Sequence, residues 1–207
     1  MSSSTQQIVI VDTGCANLSS VKYAVERLGF EACISDDVEQ ILNADKVILP
    51  GVGSAKHAMA NIKEKGLEQT LRALTQPVLG FCLGMQLMTQ SSQEGLTHDT
   101  FEATQCLGVI PVDVIKLNSA GLRLPHMGWN RLSLLQTHPV FEGITENDYV
   151  YFVHSYGVPV CEYTVAACEY GTPFSAAIVK DNFIGCQFHP ERSSQVGQRI
   201  IRNFLTM

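Results

Sequence analysis

The sequence predicts an α/β fold: a central, mostly parallel sheet flanked by helices, with antiparallel strands added in the second half of the chain. In the first half, short apolar runs alternate with stretches of helical periodicity, which is the pattern of βαβ units. In the second half, short runs lie close together between turn residues, which is typical of antiparallel strands. No linker or repeat interrupts the 207 residues, so one domain over residues 1–207 is predicted.

Four strands with intervening helices are predicted in the first half. The strands are the runs IVIVD (8–12), EACI (31–34), KVIL (46–49) and PVLGFC (77–82). A helix is predicted from Asn17 to Gly29, because the apolar residues between them recur at helical spacing. Further helices are predicted over 55–74 and from about Gly84.

The second half predicts a series of short strands and one terminal helix. The strand candidates are LGVIPVDVIKL (107–117), RLSLL (131–135), DYVYFVHSY (148–156), YTVAACEY (163–170), SAAIVK (175–180) and FIGCQFH (183–189). From Ser193 the apolar residues Val196, Ile200, Ile201 and Phe204 fall on one helical face. This amphipathic helix is predicted to cover the sheet.

Composition excludes several classes of function. The net charge is −6 and no basic stripe occurs, so nucleic acid is not an expected partner. No apolar run approaches the roughly 18 residues of a membrane span, and the N-terminus lacks the basic region of a signal peptide. The seven cysteines are odd in number and include no CxxC pair, which favours a reducing, cytoplasmic location over a disulfide framework.

The stretch GFCLG (80–84) has the G-x-nucleophile-x-G pattern, with Cys82 in the nucleophile position. Such a strand-to-helix turn is sharp, and glycines flank it because bulkier residues would clash. The turn would expose the thiol at the carboxyl end of a strand, and the helix dipole would favour the thiolate. The alternative is a buried structural cysteine at an ordinary turn.

A general base for Cys82 is sought among the histidines, and FHPER (188–192) offers His189 with Glu191 two residues later. Residues i and i+2 of extended backbone face the same side, and Pro190 favours extended backbone at His189. A carboxylate beside an imidazole fixes its tautomer and stabilises the imidazolium. A surface turn is the alternative for this motif, and no ligand cluster supports a metal site.

An oxyanion hole is predicted from PGVGS (50–54), which follows the strand KVIL. Its glycines allow backbone N–H groups to point into the site. The N–H of Leu83, at the start of the helix, is a second candidate donor. An ordinary glycine-rich turn is the alternative, and the loop lacks the pattern of a phosphate-binding P-loop.

Taken together and in this order, PGVGS, GFCLGMQ and FHPE resemble the motifs of the class I (triad) glutamine amidotransferases over nearly the whole chain. The resemblance implies that Cys82 attacks the side-chain amide of glutamine and that a glutamyl thioester forms and is hydrolysed. It further implies His189 as general base and acid, Glu191 as the residue that orients it, and Gly53 and Leu83 as oxyanion donors. No cofactor or metal is implied.

Three further stretches are similar to the glutaminase subunits of imidazole glycerol phosphate synthase. They are VDTGCANLSSV (11–21), PHMGWN (125–130) and YFVHSYGV (151–158); in the first, Thr13 and Ala16 replace the usual tyrosine and glycine. The resemblance implies a glutamine pocket formed by Gly51, Gly53, Gln86, His154, Ser155 and Tyr156.

The resemblance also implies a partner. This is the cyclase subunit, which is a (β/α)8 barrel that would receive the ammonia within a heterodimer in histidine biosynthesis. Asn17, Arg192 and Trp129 are candidates for the interface, although the simpler interpretation of Trp129 is packing. Two other functions stay open on the residues alone. One is a stand-alone cysteine hydrolase acting on γ-glutamyl or peptide substrates, and the other is a non-catalytic regulatory module of the same fold.

Overall fold

The structure, a computed structural model, describes residues 6–14, 17–95 and 102–207. Its α-helices are Leu18–Glu26 (α1), Val38–Asn43 (α2), Ala55–Glu64 (α3), Glu68–Arg72 (α4), Leu83–Leu87 (α5) and Ser194–Thr206 (α6). Its strands are Ile8–Val11 (β1), Ala32–Ser35 (β2), Lys46–Leu49 (β3), Val78–Phe81 (β4), Ser91–Ser92 (β5), Thr104–Gln105 (β6), Asp113–Lys116 (β7), His126–Arg131 (β8), Ser133–Leu134 (β9), Tyr149–His154 (β10), Tyr156–Gly157 (β11), Thr164–Tyr170 (β12), Thr172–Lys180 (β13) and Phe183–Cys186 (β14).

The main sheet has eight strands in the order β2-β1-β3-β4-β14-β13-β12-β9. The first five of these strands run parallel, and β14, β13, β12 and β9 pair antiparallel. The predicted fold class is therefore confirmed. Because the carboxyl ends of parallel strands meet at one edge, the loops after β1, β3, β4 and β14 converge there.

Four of the parallel strands, β1, β3, β4 and β14, are buried along their whole length, which explains why their sequences are mostly apolar, whereas the edge strand β2 is only partly buried. Within β1, Ile8 and Ile10 pack on the face covered by α1 and α6, whereas Val9 and Val11 pack on the face covered by α2 to α5. The predicted terminal helix is confirmed as α6, which buries Ile200 and its apolar neighbours.

Several predicted elements differ in the structure. The helix predicted over 55–74 is divided into α3 and α4, because Gly66 adopts a positive φ of 69° after α3 ends. α2 was not predicted; Asp37 caps it by accepting a hydrogen bond from the Gln40 amide at 2.8 Å. The strand predicted over 107–117 is shortened to β7, which starts after Pro111, a residue without a backbone N–H.

Not all of the second-half strands join the main sheet as antiparallel additions. β8 and β10 form a separate two-stranded ribbon, and β11, β7, β5 and β6 form a four-stranded sheet. β14 also differs from the prediction on its β4 side, where the pairing is parallel. Among the residues described, no helix is long and apolar enough to cross a membrane.

Candidate active site

Cys82 lies at the turn between β4 and α5, at the edge of the sheet where the parallel strands end. Its backbone adopts φ 49° and ψ −104°, a conformation that costs a non-glycine residue energy and is found mostly at functional sites. The turn is held by a hydrogen bond from the Cys82 amide to the Cys186 carbonyl at 2.7 Å. The strained elbow predicted from the sequence is therefore present, but the expectation that it exposes the thiol is wrong, because Cys82 is buried with 8% of its surface exposed.

The two glycines around Cys82 are required by close backbone packing. A Cβ on Gly84 would lie 1.7 Å from the Leu49 carbonyl oxygen, and a Cβ on Gly80 would lie 2.7 Å from the Gly84 carbonyl carbon. Both distances are far below van der Waals contact, and the obstructing atoms are backbone atoms. The pattern Gly-x-Cys-x-Gly therefore permits the turn to pack against β3.

His189 and Glu191 meet beside Cys82. His189 has extended backbone, and Pro190 begins a short 3-10 helix that brings Glu191 back against the ring. Nδ1 of His189 and Oε1 of Glu191 are 2.8 Å apart, and the two side chains are only 3% and 1% exposed. The carboxylate therefore holds the imidazole with Nδ1 protonated and Nε2 turned toward the thiol side.

The electrostatics favour a charged imidazole when the sulfur is a thiolate. Burial by itself disfavours the imidazolium, but the nearby Cys82 sulfur and the Glu191 carboxylate outweigh burial and raise the pKa of His189 to about 10. Nε2 is buried and has no hydrogen-bond partner among the residues that the structure describes.

Asn17 contacts the same carboxylate. Its Nδ2 donates to Oε1 of Glu191 at 2.8 Å. Asn17 immediately precedes α1 and has a left-handed backbone conformation. At the end of β1, Asp12 pairs with Lys65, whose ammonium group lies 3.1 Å from Asp12 and 2.9 Å from Asp36. The sequence indicated Asn17 only as an interface candidate, whereas the structure places it against the triad.

A pocket of about 230 Å³ opens beside Cys82. Its lining includes the predicted residues Gly53, Leu83, Gln86, His154, Ser155 and Tyr156. Gly53 lies at its rim with a φ of 106° and with open space where a side chain would be. Gly51 lies outside the lining: it is buried, and a Cβ there would meet the Leu83 side chain at 3.1 Å.

Two residues that sequence reasoning missed lie at this site: Gln187 behind Cys82 and Glu94 in the pocket lining. Gln187 is fully buried, and its Nε2 donates to the Cys82 sulfur at 3.7 Å while its Oε1 accepts from Gln86 at 3.0 Å. Glu94 also lines the pocket, and it accepts a hydrogen bond from the Ala55 amide at 3.2 Å. Burial raises the pKa of Glu94, although this hydrogen bond opposes the shift.

A second hollow of about 570 Å³, called the outer hollow below, reaches His189 and Glu191 from another side. Val52, Val153 and His189 line both hollows, so they form the wall between them. Asn17 and Arg192, both proposed from the sequence as interface residues, line the outer one. The site is thus open in two directions.

An exposed apolar surface lies on the ribbon of β8 and β10. Met127 and Trp129 on β8 are 63% and 52% exposed, and the ring of Trp129 lies 5.9 Å from that of Tyr151 on β10. The Arg192 guanidinium stacks over the same Tyr151 ring, 4.8 Å from its centroid. This surface, comprising Met127, Trp129, Tyr151 and Arg192, is called the aromatic ribbon face below. It adjoins the outer hollow through Arg192.

Within the described ranges, no group of three histidine, cysteine or acidic residues is arranged to hold a metal ion. The groups that the site offers for chemistry are the thiol, the imidazole and the carboxylate. A cysteine at a strained turn beside a histidine that a glutamate orients, on an open α/β sheet, is the arrangement of hydrolases that proceed through a covalent acyl intermediate.

Comparison with known proteins agrees with this class. The model of the family "Glutamine amidotransferase class-I" matches residues 9–207. A solved structure described as a glutamine amidotransferase superposes with a TM-score of 0.72 at 20% identity, covering 96% of this chain and 97% of that one. A solved structure of PurLQS from Thermotoga maritima superposes with a TM-score of 0.71 at 17% identity, covering 98% of each chain. At such identities the two structures show the fold alone.

Curated relatives are much more similar in sequence. The imidazole glycerol phosphate synthase subunit HisH of Colwellia psychrerythraea is 64% identical, covering 96% of this chain and 92% of the relative. The protein of the same name from Vibrio cholerae is 52% identical, covering 98% and 100%. The chain therefore belongs to the class-I glutamine amidotransferases and, within them, to the family of HisH subunits of imidazole glycerol phosphate synthase. The resemblance inferred from the motifs is confirmed.

Proposed function

We propose that this chain is the glutaminase subunit of an imidazole glycerol phosphate synthase and supplies ammonia to a cyclase partner in histidine biosynthesis. The observation that carries the proposal is the strained Cys82 beside the buried pair of His189 and Glu191, at the base of a pocket lined by polar groups. The names of the HisH relatives support the choice among amidotransferases.

The chemistry follows from the positions of the three side chains. The Cys82 thiolate attacks the carboxamide carbon of glutamine, and the C–N bond breaks as Nε2 of His189 gives its proton to the leaving nitrogen. Ammonia departs and a glutamyl thioester remains. His189 then removes a proton from water, hydroxide displaces the sulfur, and glutamate leaves with the thiolate restored.

The oxyanion of both tetrahedral intermediates would be stabilised by the backbone N–H groups of Gly53 and Leu83, which line the pocket next to Cys82. Gly53 has a positive φ of 106°, a conformation that glycine adopts without the steric cost a side chain would impose. We propose these two residues as the oxyanion hole.

Recognition of glutamine would combine an acceptor amide with a carboxylate. Both amide protons of Gln86 are directed away from the substrate, because Nε2 contacts the Tyr156 carbonyl at 3.1 Å and Gln187 at 3.0 Å. The remaining group, Oε1, is an acceptor. Glu94 offers a second acceptor in the pocket, and a carboxylate is suited to the α-ammonium group of glutamine.

The partner would dock on the aromatic ribbon face and over the outer hollow. Exposed aromatic residues and arginine are enriched at protein interfaces, and this face carries both. The outer hollow leads from His189, the residue that protonates the leaving nitrogen, to the same side of the molecule. We propose that ammonia leaves through it into a β/α-barrel cyclase and that the two chains form a heterodimer.

A cytoplasmic location is part of the proposal. The six cysteines in the described part of the chain are all free, which suits a reducing compartment.

The test is glutamine turnover by the chain together with its cyclase. Cys82→Ala should abolish glutamine hydrolysis and leave partner binding and ammonia-dependent synthesis unchanged, whereas Cys33→Ala should retain full activity. A glutamine-like electrophile should label Cys82, as located by mass spectrometry of the digested protein. Labelling of Cys186 with Cys82 unmodified would overturn the assignment of the nucleophile. Full glutamine turnover without any cyclase would favour the stand-alone hydrolase.

A further inference from the structure

The motif PHMGWN supplies a buried chain of hydrogen bonds that the triad chemistry does not use. His126, the second residue of this motif, lies directly opposite His154 in the pairing of β8 with β10. Nδ1 of His126 is 3.2 Å from Nε2 of His154, and Nδ1 of His154 is 2.9 Å from the Tyr156 carbonyl oxygen. At the other end, Nδ2 of Asn130 is 3.4 Å from Nε2 of His126. The chain thus connects the ribbon with the glutamine pocket.

The direction of this chain is determined by its two ends. The Tyr156 carbonyl can only accept, so Nδ1 of His154 carries the proton. The amide of Asn130 is oriented by two backbone contacts, because Oδ1 accepts from the Arg131 amide at 2.8 Å and Nδ2 donates to the Glu169 carbonyl at 3.0 Å. Nδ2 therefore donates to His126.

With both ends assigned, the central contact has one consistent arrangement. Nε2 of His126 accepts from Asn130, so the single proton of this neutral ring lies on Nδ1 and is donated to His154. Every ring nitrogen then has a partner of the correct kind, which is the condition for a stable buried polar network. Burial lowers the pKa of His126 to about 4 and that of His154 to about 3, in agreement with two neutral rings.

The rings are also held rigidly by packing. His126 is stacked between Phe152 and Tyr170, with centroid distances of 4.8 and 4.1 Å and interplanar angles of 24° and 23°. His154 meets Phe174 edge to face, with a centroid distance of 4.9 Å. Rotation of either ring would displace these aromatic neighbours, so the orientation of the network is fixed.

We propose that His126 and Asn130 are positioning residues for the glutamine pocket: they fix the tautomer and orientation of His154, and through the Tyr156 carbonyl they hold the Gln86 amide. The link to Gln86 is direct, because the same carbonyl oxygen accepts from Nε2 of Gln86 at 3.1 Å. The proposal rests on the glutaminase function proposed above. The opposite face of the same two strands carries Met127 and Trp129, so the network and the aromatic ribbon face share one ribbon.

Reversing the donor at one end provides the sharpest test. Asn130→Asp preserves the shape of the side chain but replaces the donor by an acceptor, so the single proton of the His126 ring, which burial keeps neutral, must move to Nε2. Nδ1 of His126 then has no proton for His154. His126→Phe is the second variant, since it retains an aromatic ring in the stack and removes both contacts. Asn147→Asp, on an exposed turn, is the matched control for the added charge.

Glutamine KM and kcat of the complex are the first measurement. A group that only positions a binding residue affects substrate affinity, so we expect KM to rise about 10- to 100-fold in Asn130→Asp and His126→Phe, with a smaller change in kcat. Ammonia-dependent synthesis should be unchanged in both variants, and Asn147→Asp should match the unmodified chain. An unchanged KM in Asn130→Asp, with the variant folded, would overturn the proposal.

The second measurement is independent of activity. Nitrogen–proton correlation spectra of the histidine rings should show His126 and His154 neutral with the proton on Nδ1, and the His126 proton should move to Nε2 in Asn130→Asp. A proton on Nε2 of His126 in the unmodified chain would overturn the network even if the enzyme is a glutaminase. Absence of glutaminase activity in the unmodified complex, with the tautomers as expected, would instead refute the proposed function.

Discussion

Replacement of Glu191 by glutamine separates the orienting role of this residue from its charge. Oε1 of Glu191 accepts from His189 and from Asn17, both at 2.8 Å, whereas Oε2 has no partner among the described residues. In Glu191→Gln, both hydrogen bonds are retained when the new carboxamide places its oxygen at this position and its nitrogen at the Oε2 position. The imidazole keeps its acceptor and its tautomer.

The expected loss of rate is therefore moderate. A hydrogen bond to a charged group contributes about 1.5–3 kcal/mol and one between neutral groups about 0.5–1.5 kcal/mol, so the change removes about 1–2 kcal/mol of support for the imidazolium. That difference corresponds to a decrease in kcat of about 5- to 30-fold. His189→Asn removes the proton transfers themselves and should cost at least about 100- to 10,000-fold.

Asn17 should decide the size of this effect. In the double variant Asn17→Ala with Glu191→Gln, nothing prevents the carboxamide from turning its NH2 group toward His189, which would place the ring proton on Nε2. We expect the double variant to lose more activity than the product of the two single losses. The assay is glutaminase kcat in the complex, with ammonia-dependent synthesis as the control for folding and docking. Two results would refute this reasoning. One is a decrease in kcat for Glu191→Gln as large as that for His189→Asn, and the other is a decrease for the double variant equal to the product of the two single decreases.

Three further predictions concern the elbow, the partner and pH. Gly84→Ala should destabilise the chain by more than about 3 kcal/mol in urea unfolding, because its Cβ would lie 1.7 Å from a backbone oxygen, whereas Gly157→Ala, with its nearest neighbour at 3.4 Å, should be tolerated. The isolated chain should hydrolyse glutamine at least about 100-fold more slowly than the complex with ligand-bound cyclase, and equal rates with and without the partner would contradict this. The variant Gly53→Ala should change this ratio of rates, while a glutamine-like electrophile should still label Cys82. Because the pKa of His189 is raised to about 10 from an unfolded value near 6.5, its contribution to stability is complete below about pH 6.5 and is lost as the pH rises toward 10. The difference in unfolding free energy between the unmodified chain and His189→Asn should accordingly shrink between about pH 7 and 10, and a constant difference would contradict it.

The parts of the site that could be predicted from sequence are those encoded in short segments. The elbow is specified by five consecutive residues, and each of its glycines has a steric reason that depends only on the turn and on β3. His189 and Glu191 are two residues apart, so their contact needs no knowledge of the fold. The backbone route was predicted less well, since extended geometry was expected at both residues and a 3-10 turn brings Glu191 to the ring.

The contacts that were missed join segments distant in the chain. Asn17 and Glu191 are separated by 174 positions, and they meet because β1 and β14 end at the same edge of the sheet. The pairing of His126 with His154 depends on the register of a ribbon that the sequence did not predict. No periodicity within either segment carries this information.

Gln187 is a different case, because a signal for it was present. The argument that placed Glu191 near His189, that residues two apart in extended backbone share a face, applies equally to the residue two positions before His189. Gln187 is part of the segment that continues β14, where its amide donates to the Ala176 carbonyl at 2.8 Å, and its side chain reaches the Cys82 sulfur. The segment thus presents two polar side chains on the side of Cys82: in the proposed mechanism His189 transfers protons to the leaving nitrogen and from water, and Gln187 donates a hydrogen bond to the sulfur. A thiolate at Cys82 would benefit from this arrangement in attacking an uncharged amide. The imidazolium of His189 is already one cation nearby, and a second cation in place of Gln187 would stabilise the thiolate further and so make it less nucleophilic.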